Sequence, residues 1–316
     1  MQNDKFLPEG NLIHTPQNHM HIESLDSLYA AMENETVLEG EVTLCDTEHN
    51  LTVRLGKFSG VIPHSETAIG IDDGSTKEIA IISRVGKPVA FTVIGIDRSG
   101  HDIKLLLSRR KAQEKALAHL LKSLSSGDII PAKVTHLEPF GAFVDIGCGI
   151  ISLIGIETIS VSRISHPRDR FAIGDDIFAV VTGIDLKNRR ITLSHRELLG
   201  TWEQNANRFK IGETVCGTVR GIENYGIFIE LAPNLSGLAE WRDGITPNAS
   251  VSVFIKSIIP EKMKIKLIVI DTFPNDTAKH ISENNYFLTS GHIDSWQYSP
   301  EACTKKTVIS EFHQNE

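Results

Sequence analysis

Hydrophobic and polar residues alternate along much of this chain in short runs, which is the pattern of half-buried β-strands. In the clearest run, Val144 is expected to face a core, whereas Phe143 and Asp145 are expected to face water. Gly141 permits a bend that would bring Phe140 onto the same outer face as Phe143. Two such rings form a platform on which unpaired bases can stack, at about 1–3 kcal/mol per base. The alternative, in which one or both rings fill the core, fits this stretch equally well.

The same order of five strand-like runs occurs three times, with Gly, Asp and Asn turns between the runs. The runs are 40–44, 51–56, 60–63, 89–94 and 103–108; then 130–137, 140–147, 150–154, 177–184 and 190–194; then 214–222, 225–231, 237–239, 251–258 and 264–268. Each unit is too long for a solenoid repeat, and five strands closed into a barrel leave no long exposed edge. The chain is therefore predicted to be all-β with helical linkers, forming three tandem five-stranded barrels.

The segments outside the barrels are predicted from composition and helical spacing. Apolar residues between 109 and 124 share one helical face, and 25–32 could form one short helix. The tail could form a few strands or dock on the third repeat. The predicted domains are a polar acidic N-terminal segment 1–36, repeat one 37–110, a linker helix 111–126, repeat two 127–196, a linker 197–210, repeat three 211–271 and an acidic C-terminal tail 272–316.

The net charge of −8 is concentrated in the two ends of the chain. Residues 1–40 carry −6 and residues 272–316 carry −3, which leaves +1 for residues 41–271. Local basic patches are therefore possible in the centre, but nonspecific phosphate binding should be modest. No apolar run approaches the roughly 20 residues of a membrane span, and the start lacks the order of a signal peptide. We expect a cytoplasmic protein with no membrane partner.

Metal and catalytic motifs are weak in this sequence. The four cysteines are far apart, and His14, His19 and His21 lack a helical spacing with an acidic partner, so no metal or other cofactor is expected. The close carboxylate pairs 72–73 and 175–176 lie beside glycines, as turn-forming residues do. The sequence contains no P-loop, metalloprotease or nucleophile-elbow motif. We therefore expect no catalytic residues and a protein that is not an enzyme.

Basic residues recur at one place in the three repeats, near the end of each unit. Lys187, Arg189 and Arg190 precede the last strand of repeat two, and Lys264 and Lys266 occupy the corresponding strand of repeat three, while residues 109–111 follow repeat one. Cations near a stacking face can hold phosphates. Each cluster alone could equally be a solubility device of a sheet edge. Further candidates for phosphate or base contacts in repeat two are Lys133, Arg163, His166, Arg168 and Arg170.

The two later repeats share a series of motifs. Repeat two has Gly127-Asp128, Phe140-Gly141-Ala142-Phe143-Val144-Asp145, Gly174-Asp175, Gly183-Ile184-Asp185 and Arg190-Ile191-Thr192-Leu193-Ser194; repeat three has Gly212-Glu213, Tyr225-Gly226-Ile227-Phe228-Ile229 and Gly237-Leu238. These motifs resemble the RNA-binding repeat of the bacterial small-subunit (30S) ribosomal protein S1 family, and repeat one resembles a degenerate member. The resemblance covers about residues 38–271, and the layout is similar to that of short members in clostridia-like bacteria.

The resemblance implies an oligonucleotide-binding (OB-fold) barrel in each repeat, with single-stranded RNA bound across strands two and three. It implies stacking on Phe140 and Phe143 in repeat two, and on Tyr225 and Phe228 in repeat three. Repeat one has His49 and Thr52 at those places and so lacks the platform. The family often carries a histidine on strand three of this face; the three corresponding residues here are Pro63, Gly155 and Glu240.

The resemblance implies a single-stranded RNA (mRNA) binding protein of the small ribosomal subunit that supports translation initiation with low sequence specificity. One alternative is an RNA-binding regulator of mRNA turnover. Another is a ribosome-associated interaction scaffold, in which repeat one docks on a protein.

Overall fold

The computed structural model describes residues 6–98, 103–273, 285–304 and 307–312. Residues 1–5 of the predicted N-terminal segment, and 274–284, 305–306 and 313–316 of the predicted tail, lie outside the described residues. Contacts divide the chain into two compact units. The first comprises 1–123, 131–133 and 145–151, and the second comprises 124–130, 134–144 and 152–316. In the described part, no helix is both long enough and apolar enough to span a membrane.

The first barrel follows two short helices. Its elements, with the helices around them, are α1 Pro16–Ile22, α2 Leu25–Glu33, β1 Leu38–Cys45, β2 Leu51–Leu55, β3 Phe58–Ile62, a 3₁₀ turn His64–Glu66, α3 Glu78–Ile82, β4 Pro88–Asp97, β5 Lys104–Ser108 and α4 Arg109–Ser123. The strands close in the order β1-β2-β3-β5-β4. All pairs are antiparallel except β3 with β5, where Gly60 pairs with Leu105. The short helix predicted for 25–32 is confirmed as α2, and α1 was not predicted.

The second and third barrels repeat this strand order. The second has β6 Ile129–Glu138, β7 Gly141–Asp145, β8 Ile151–Gly155, α5 Ile156–Ile159, a 3₁₀ turn Pro167–Asp169, β9 Asp176–Asp185 and β10 Arg190–Ser194. The third follows a 3₁₀ turn Arg196–Leu199 and α6 Trp202–Ala206, and has β11 Thr214–Glu223, β12 Gly226–Ala232, β13 Leu235–Ala239, β14 Ser250–Ile259, a 3₁₀ turn Pro260–Lys262 and β15 Lys264–Phe273. The predicted fold class, three tandem five-stranded barrels, is confirmed.

Alternating residues of each barrel fill its interior, as period-2 strands require. Val42, Leu51 and Val53 are fully buried in the first barrel, and Ile227 and Ile229 in the third. The third core also takes up residues of the tail, where β16 Ser295–Gln297 pairs with β17 Ile309–Glu311. Trp296, Tyr298 and Phe312 of this tail are buried against the same core.

The prediction that Asp145 faces water is wrong. Its side chain is only 2% exposed, although it follows the buried Val144 directly. Asp145 ends β7, where the backbone turns, and its Oδ1 accepts the N–H groups of Gly147 and Gly149 at 2.8 and 3.0 Å. Its Oδ2 accepts the N–H of Glu9 at 2.7 Å. Backbone N–H groups buried at a turn need acceptors, and this need overrides the alternation of the strand.

Candidate nucleic-acid interface

The aromatic pair of the second barrel lies on its outer surface. Phe140 stands in the turn before β7 and is 56% exposed, while Phe143 on β7 is half-buried. The ring centroids are 5.9 Å apart and the planes meet at 89°. The backbone carbonyl of Phe140 accepts the N–H of Ile156 at 2.9 Å, which fixes the turn against the barrel. The alternative that both rings fill the core is therefore wrong for this protein.

Gly141 is needed for close approach of the neighbouring strand. A Cβ at this position would lie 2.5 Å from the carbonyl oxygen of Ile154 and 3.0 Å from a methyl carbon of Leu153. Any side chain here would push β7 and β8 apart. The glycine thus brings the two rings beside a tightly paired strand, in addition to allowing the predicted bend.

The third barrel builds the same pair from different residues. Tyr225 is 67% exposed in the turn before β12, and Phe228 is half-buried on β12. Their ring centroids are 6.1 Å apart with planes at 88°. Gly226 lies between them as Gly141 does in the second barrel, and a Cβ there would lie 2.4 Å from the carbonyl oxygen of Ala239. The exposed pair is therefore a repeated feature of the two barrels.

Lys266 shares the outer face of the third barrel with the aromatic pair. Phe228 pairs with Leu238 on β13, and Leu238 pairs with Lys266 on β15. Paired residues point to the same side of a sheet, and two strand spacings place these residues about 10 Å apart. Lys264 precedes Lys266 by two positions and is also exposed. A phosphate of a strand that crosses Phe228 could therefore meet either ammonium group.

In the second barrel, the cations do not lie directly across the strands from the aromatic pair. They lie at the start of β10 and in the turn before it. Thr192 pairs with Leu153, so a threonine occupies the place of Lys266. Arg190 lies two residues earlier on the same face, and Lys187 and Arg189 are exposed in the preceding turn. Arg190 at the start of β10 and Lys264 at the start of β15 thus occupy corresponding exposed positions in the two barrels.

The remaining predicted contacts lie elsewhere. Arg163 is exposed in the loop between β8 and β9. His166 has a structural role, because its Nδ1 accepts the backbone N–H of Arg168 at 3.1 Å and caps the 3₁₀ turn. Lys133 lies on β6 beside the N-terminal segment: a Cβ built on Gly10 would lie 3.4 Å from its Nζ. RNA contacts by these residues stay predictions.

Arg109 and Arg110 do not form the predicted basic cluster after repeat one. Arg109 is buried, and its Nε and a terminal nitrogen donate to the Glu9 carboxylate at 2.7 and 3.0 Å. Arg110 donates to Glu66 and Asp72 at 2.5 and 2.7 Å. The predicted phosphate contact is wrong for Arg109, since its charge is compensated inside the fold. The pair of Arg109 and Glu9 could not be predicted from the sequence, because the two residues are 100 positions apart.

Sequence reasoning missed His136 as a member of the aromatic face. Its exposed ring lies 6.3 Å from that of Phe143, and its Nε2 lies 2.7 Å from Glu138 Oε1. The sequence contained a signal for this contact. The first strand of such a barrel pairs with the second, so an exposed histidine near the end of β6 is expected to lie beside the aromatic pair of β7. The third barrel has Gly221 opposite Phe228 and so lacks this third ring.

The first barrel presents an apolar row on the corresponding face. Thr52 pairs with Leu44 on one side and with Val61 on the other, and Val61 pairs with Leu106. Leu44, Val61 and Leu106 are 55%, 41% and 41% exposed. His49 occupies the place of Phe140 and Tyr225, where it faces Glu78. This face has neither an aromatic pair nor a row of cations.

Known proteins resemble the chain over most of its length. A family model described as the S1 RNA binding domain matches residues 32–108 and 123–196, which contain the first two barrels. Small ribosomal subunit protein bS1 of Staphylococcus saprophyticus is 28% identical over 289 residues, which cover 86% of this chain and 70% of that protein. The bS1 protein of Staphylococcus aureus (strain MRSA252) is 27% identical with the same coverage. The bS1 homolog of Bacillus subtilis is 32% identical over 202 residues, which cover 62% of this chain and 51% of that protein.

The third barrel lies beyond both matched segments, yet it has the strand order, the paired rings and the intervening glycine of the second. The family match, the relatives and the three like barrels agree, and the chain belongs to the bacterial small-subunit ribosomal protein S1 family.

Proposed function

We propose that this protein binds single-stranded RNA across the outer faces of its second and third barrels, as a partner of the small ribosomal subunit and without catalysis. The observation that carries the proposal is the pair of exposed rings built twice, at 5.9 Å and 89° in one barrel and 6.1 Å and 88° in the other. Burying an exposed apolar ring is favourable, and a base can stack on the open face of either ring although the two planes are perpendicular.

The recognition would combine stacking with phosphate contacts. Every base has a π-face, so stacking on Phe143 or Phe228 tolerates any sequence. Lys264 and Lys266, and Arg190 in the second barrel, would hold phosphates and set the path of the strand without reading bases. The protein would therefore bind mRNA with low specificity, which suits a role in holding mRNA near the small subunit during initiation.

The test compares RNA affinities by fluorescence anisotropy with a labelled oligouridylate of about 30 nucleotides, which can reach both barrels. Phe140→Ala with Phe143→Ala, and Tyr225→Ala with Phe228→Ala, should each weaken binding by about five- to 150-fold, because one lost stacked base is worth about 1–3 kcal/mol. Phe273→Ala is the matched control, since it removes an exposed phenyl ring outside both pairs. Affinities that stay unchanged in both double variants would remove the aromatic faces from the proposal.

Association with the ribosome separates the initiation role from control of mRNA turnover. A sucrose-gradient profile should show the wild-type protein with small subunits at low salt and less of it there at high salt, because charge contacts are screened. A protein that binds RNA normally but sediments apart from small subunits at both salt concentrations would favour the turnover role.

The apolar row of the first barrel favours a second function, docking on a protein of the small subunit. Large exposed apolar side chains in one patch mark interaction surfaces. Replacing Leu44, Val61 and Leu106 by glutamine should reduce co-sedimentation with small subunits while oligouridylate affinity stays that of the wild type. A profile unchanged by the triple replacement would exclude docking through this row.

A further inference from the structure

Two histidines and a glutamate converge at one end of the first barrel. His49 Nδ1 lies 2.8 Å from Glu78 Oε2, and His64 Nε2 lies 3.2 Å from Glu78 Oε1. The two imidazole rings are 5.8 Å apart with planes at 48°. The three ligand atoms lie within 4.8 Å of one another, and this is the one such group of potential ligands found among the residues described.

The fold brings these residues together from separate parts of the chain. His49 lies in the turn between β1 and β2, where its φ of 61° and the bonds from Glu48 and Asn50 to Asp46 Oδ1 fix the backbone. His64 opens the 3₁₀ turn after β3, and its N–H donates to Asn50 Oδ1 at 2.9 Å. Asn50 thus ties the two histidine-bearing turns together.

Glu78 reaches the same point from the segment inserted between β3 and β4. It is the first residue of α3, and its carboxylate faces both rings. The side chains of His49, His64 and Glu78 are 33%, 35% and 52% exposed, so the cluster lies at the surface of the first barrel.

One ligand atom lacks a hydrogen bond. His64 Nε2 is sealed from solvent and has no hydrogen-bond partner, although it lies 3.2 Å from the carboxylate. The contact has an ion-pair distance but not the geometry of a hydrogen bond. A buried polar atom in this condition costs free energy. A cation between the rings and the carboxylate would satisfy this nitrogen together with the other two atoms.

We propose that His49, His64 and Glu78 form a binding site for Zn²⁺ in the first barrel. Two imidazole nitrogens and one carboxylate oxygen form a donor set that zinc accepts, whereas Mg²⁺ and Ca²⁺ prefer oxygen donors alone. In a tetrahedral site with bonds of about 2.0–2.1 Å, neighbouring ligand atoms are about 3.4 Å apart. The present contacts of 2.8 and 3.2 Å run to different oxygens of Glu78, and the three ligand atoms lie within 4.8 Å of one another. Side-chain shifts of about 1 Å would bring one carboxylate oxygen and the two nitrogens to the spacing of about 3.4 Å.

The fourth ligand position would be left to water, since three protein ligands are present. The ion would also fix α3 and the inserted segment to the barrel, because Glu78 belongs to the insert and both histidines belong to turns of the barrel. Within this site, His49 occupies the place of Phe140 and Tyr225 in the other barrels. The proposal is independent of RNA binding.

Isothermal titration of the full chain with ZnCl₂ tests the proposal, with binding of one ion expected. Glu78→Gln, His49→Asn and His64→Asn should each weaken binding by at least about 10–100-fold, the loss typical of removing even an outer-shell partner. Asn at position 49 retains tolerance of the left-handed backbone. His19→Gln is the matched control, because it removes an exposed histidine outside the cluster, and it should bind as the wild type does.

Two readouts keep the test decisive if a histidine variant folds poorly. Glu78 is an exposed side chain at a helix start, so Glu78→Gln should retain the far-ultraviolet circular dichroism of the wild type. Wild-type protein loaded with Co²⁺ should show the visible absorption of a four-coordinate ion, which Zn²⁺ abolishes. Absence of one-to-one binding by the wild type, or equal affinity in wild type and Glu78→Gln, would overturn the proposal.

Discussion

A single glycine decides whether the aromatic face of the third barrel can form. Gly226 has a φ of +152°, and a Cβ there would lie 2.4 Å from the carbonyl oxygen of Ala239. Gly226→Ala should therefore lower the free energy of unfolding by about 1–3 kcal/mol, because β12 and β13 must separate. Urea unfolding followed by tryptophan fluorescence measures this loss, since Trp202 and Trp296 lie in the same core.

Gly221→Ala is the matched control for that substitution. Gly221 lies on the adjacent strand, and the nearest atom to a Cβ there is 3.7 Å away in Phe228. We expect its unfolding free energy to stay close to that of the wild type. Equal losses in the two variants would contradict the argument from close approach.

His195 makes the second unit sensitive to acid. The ring is fully buried; Nδ1 lies 2.8 Å from the carbonyl oxygen of Ile159 and must donate, while Nε2 lies 3.0 Å from the Tyr286 hydroxyl. Burial lowers the pKa of His195 from 6.5 to about 4; the bond to Ile159 opposes this shift, and the charge of Arg170 adds to it. The folded state therefore keeps the ring neutral where the unfolded chain is protonated.

The sign of the pH effect follows from this lowered pKa. Between about pH 6.5 and 4 the unfolded chain binds the additional proton, so stability falls as the pH falls, by up to about 3 kcal/mol for this group. His195→Gln should flatten the dependence of the urea midpoint on pH across this window, as read by tryptophan fluorescence. His136→Gln, an exposed histidine of the same unit, should retain the wild-type slope. A wild-type slope in His195→Gln would refute the assignment.

At the scale of elements, carboxylates fix the N-terminal segment to the first barrel. Glu39 of β1 is fully buried, and its oxygens accept the N–H groups of Gly10, Leu12 and Ile13 at 2.8–3.1 Å. The Asn18 side chain exchanges two bonds of 2.9 Å with the backbone of Glu39. The segment before α1 is thus held to β1 by side-chain hydrogen bonds to and from Glu39 and Asn18.

Glu39→Ala should release this segment, because three partly buried N–H groups lose their acceptor, and leaving such a group unpaired costs up to about 1–3 kcal/mol. Hydrogen exchange measured by mass spectrometry should then be faster by about tenfold or more in a peptide that covers residues 10–13. Glu41→Ala is the control on the same strand, since its exposed side chain pairs with Arg54 at the surface. Exchange that rises equally in both variants would show that Glu39 has no special role.

The strands and the exposed rings could be predicted from the sequence, because both follow from local alternation and from glycines in turns. The period-2 pattern around Val144 determines which side faces the core. The pairs that fix the N-terminal segment could not be predicted, since Glu9 meets Arg109 and Glu39 meets Gly10 only after folding. Glutamate is ordinarily a surface residue, whereas Glu39 is buried and accepts hydrogen bonds from three backbone N–H groups.

The candidate site shows the same division between local and distant signals. Phe140 and Phe143 are three residues apart, so their pairing is a local property of one strand and its turn. Glu78 lies in the segment inserted between β3 and β4, two strands after His49, and no helical or turn spacing indicates their contact. The expectation that no metal binds was based on the spacing of cysteines and histidines along the sequence. Spacing does not show that His49, His64 and Glu78 come together in the fold.

At the scale of the whole molecule, buried ion pairs join the second and third barrels within the second unit. Arg170, in the loop before β9, lies 2.8 Å from Glu230 on β12, and both side chains are buried. Arg220 on β11 donates a hydrogen bond to Glu230 at 2.6 Å and lies 3.6 Å from Asp169. The Glu230 carboxylate therefore faces two guanidinium groups, one from each barrel.

Glu230→Gln should destabilise the second unit by about 3–5 kcal/mol, the cost of leaving a buried charge without its partner. Urea unfolding followed by tryptophan fluorescence gives this value. The exposed pair of Glu41 and Arg54 provides the contrast, because Glu41→Gln should change stability by less than about 1 kcal/mol. A small effect of Glu230→Gln would mean that water or Asp169 compensates the two arginines.

The two aromatic faces belong to one compact unit, so their effect on RNA binding should depend on RNA length. An oligouridylate of about five nucleotides fits one barrel, whereas one of about 30 nucleotides can reach both, and its second contact is intramolecular. The double variant Tyr225→Ala with Phe228→Ala should therefore weaken binding of the long strand by a larger factor than binding of the short one, which can still use the second barrel alone. Anisotropy titrations of both strands at one salt concentration measure the two factors. Equal factors for the two lengths would mean that the barrels bind separately and that their connection through Glu230 contributes nothing to RNA affinity.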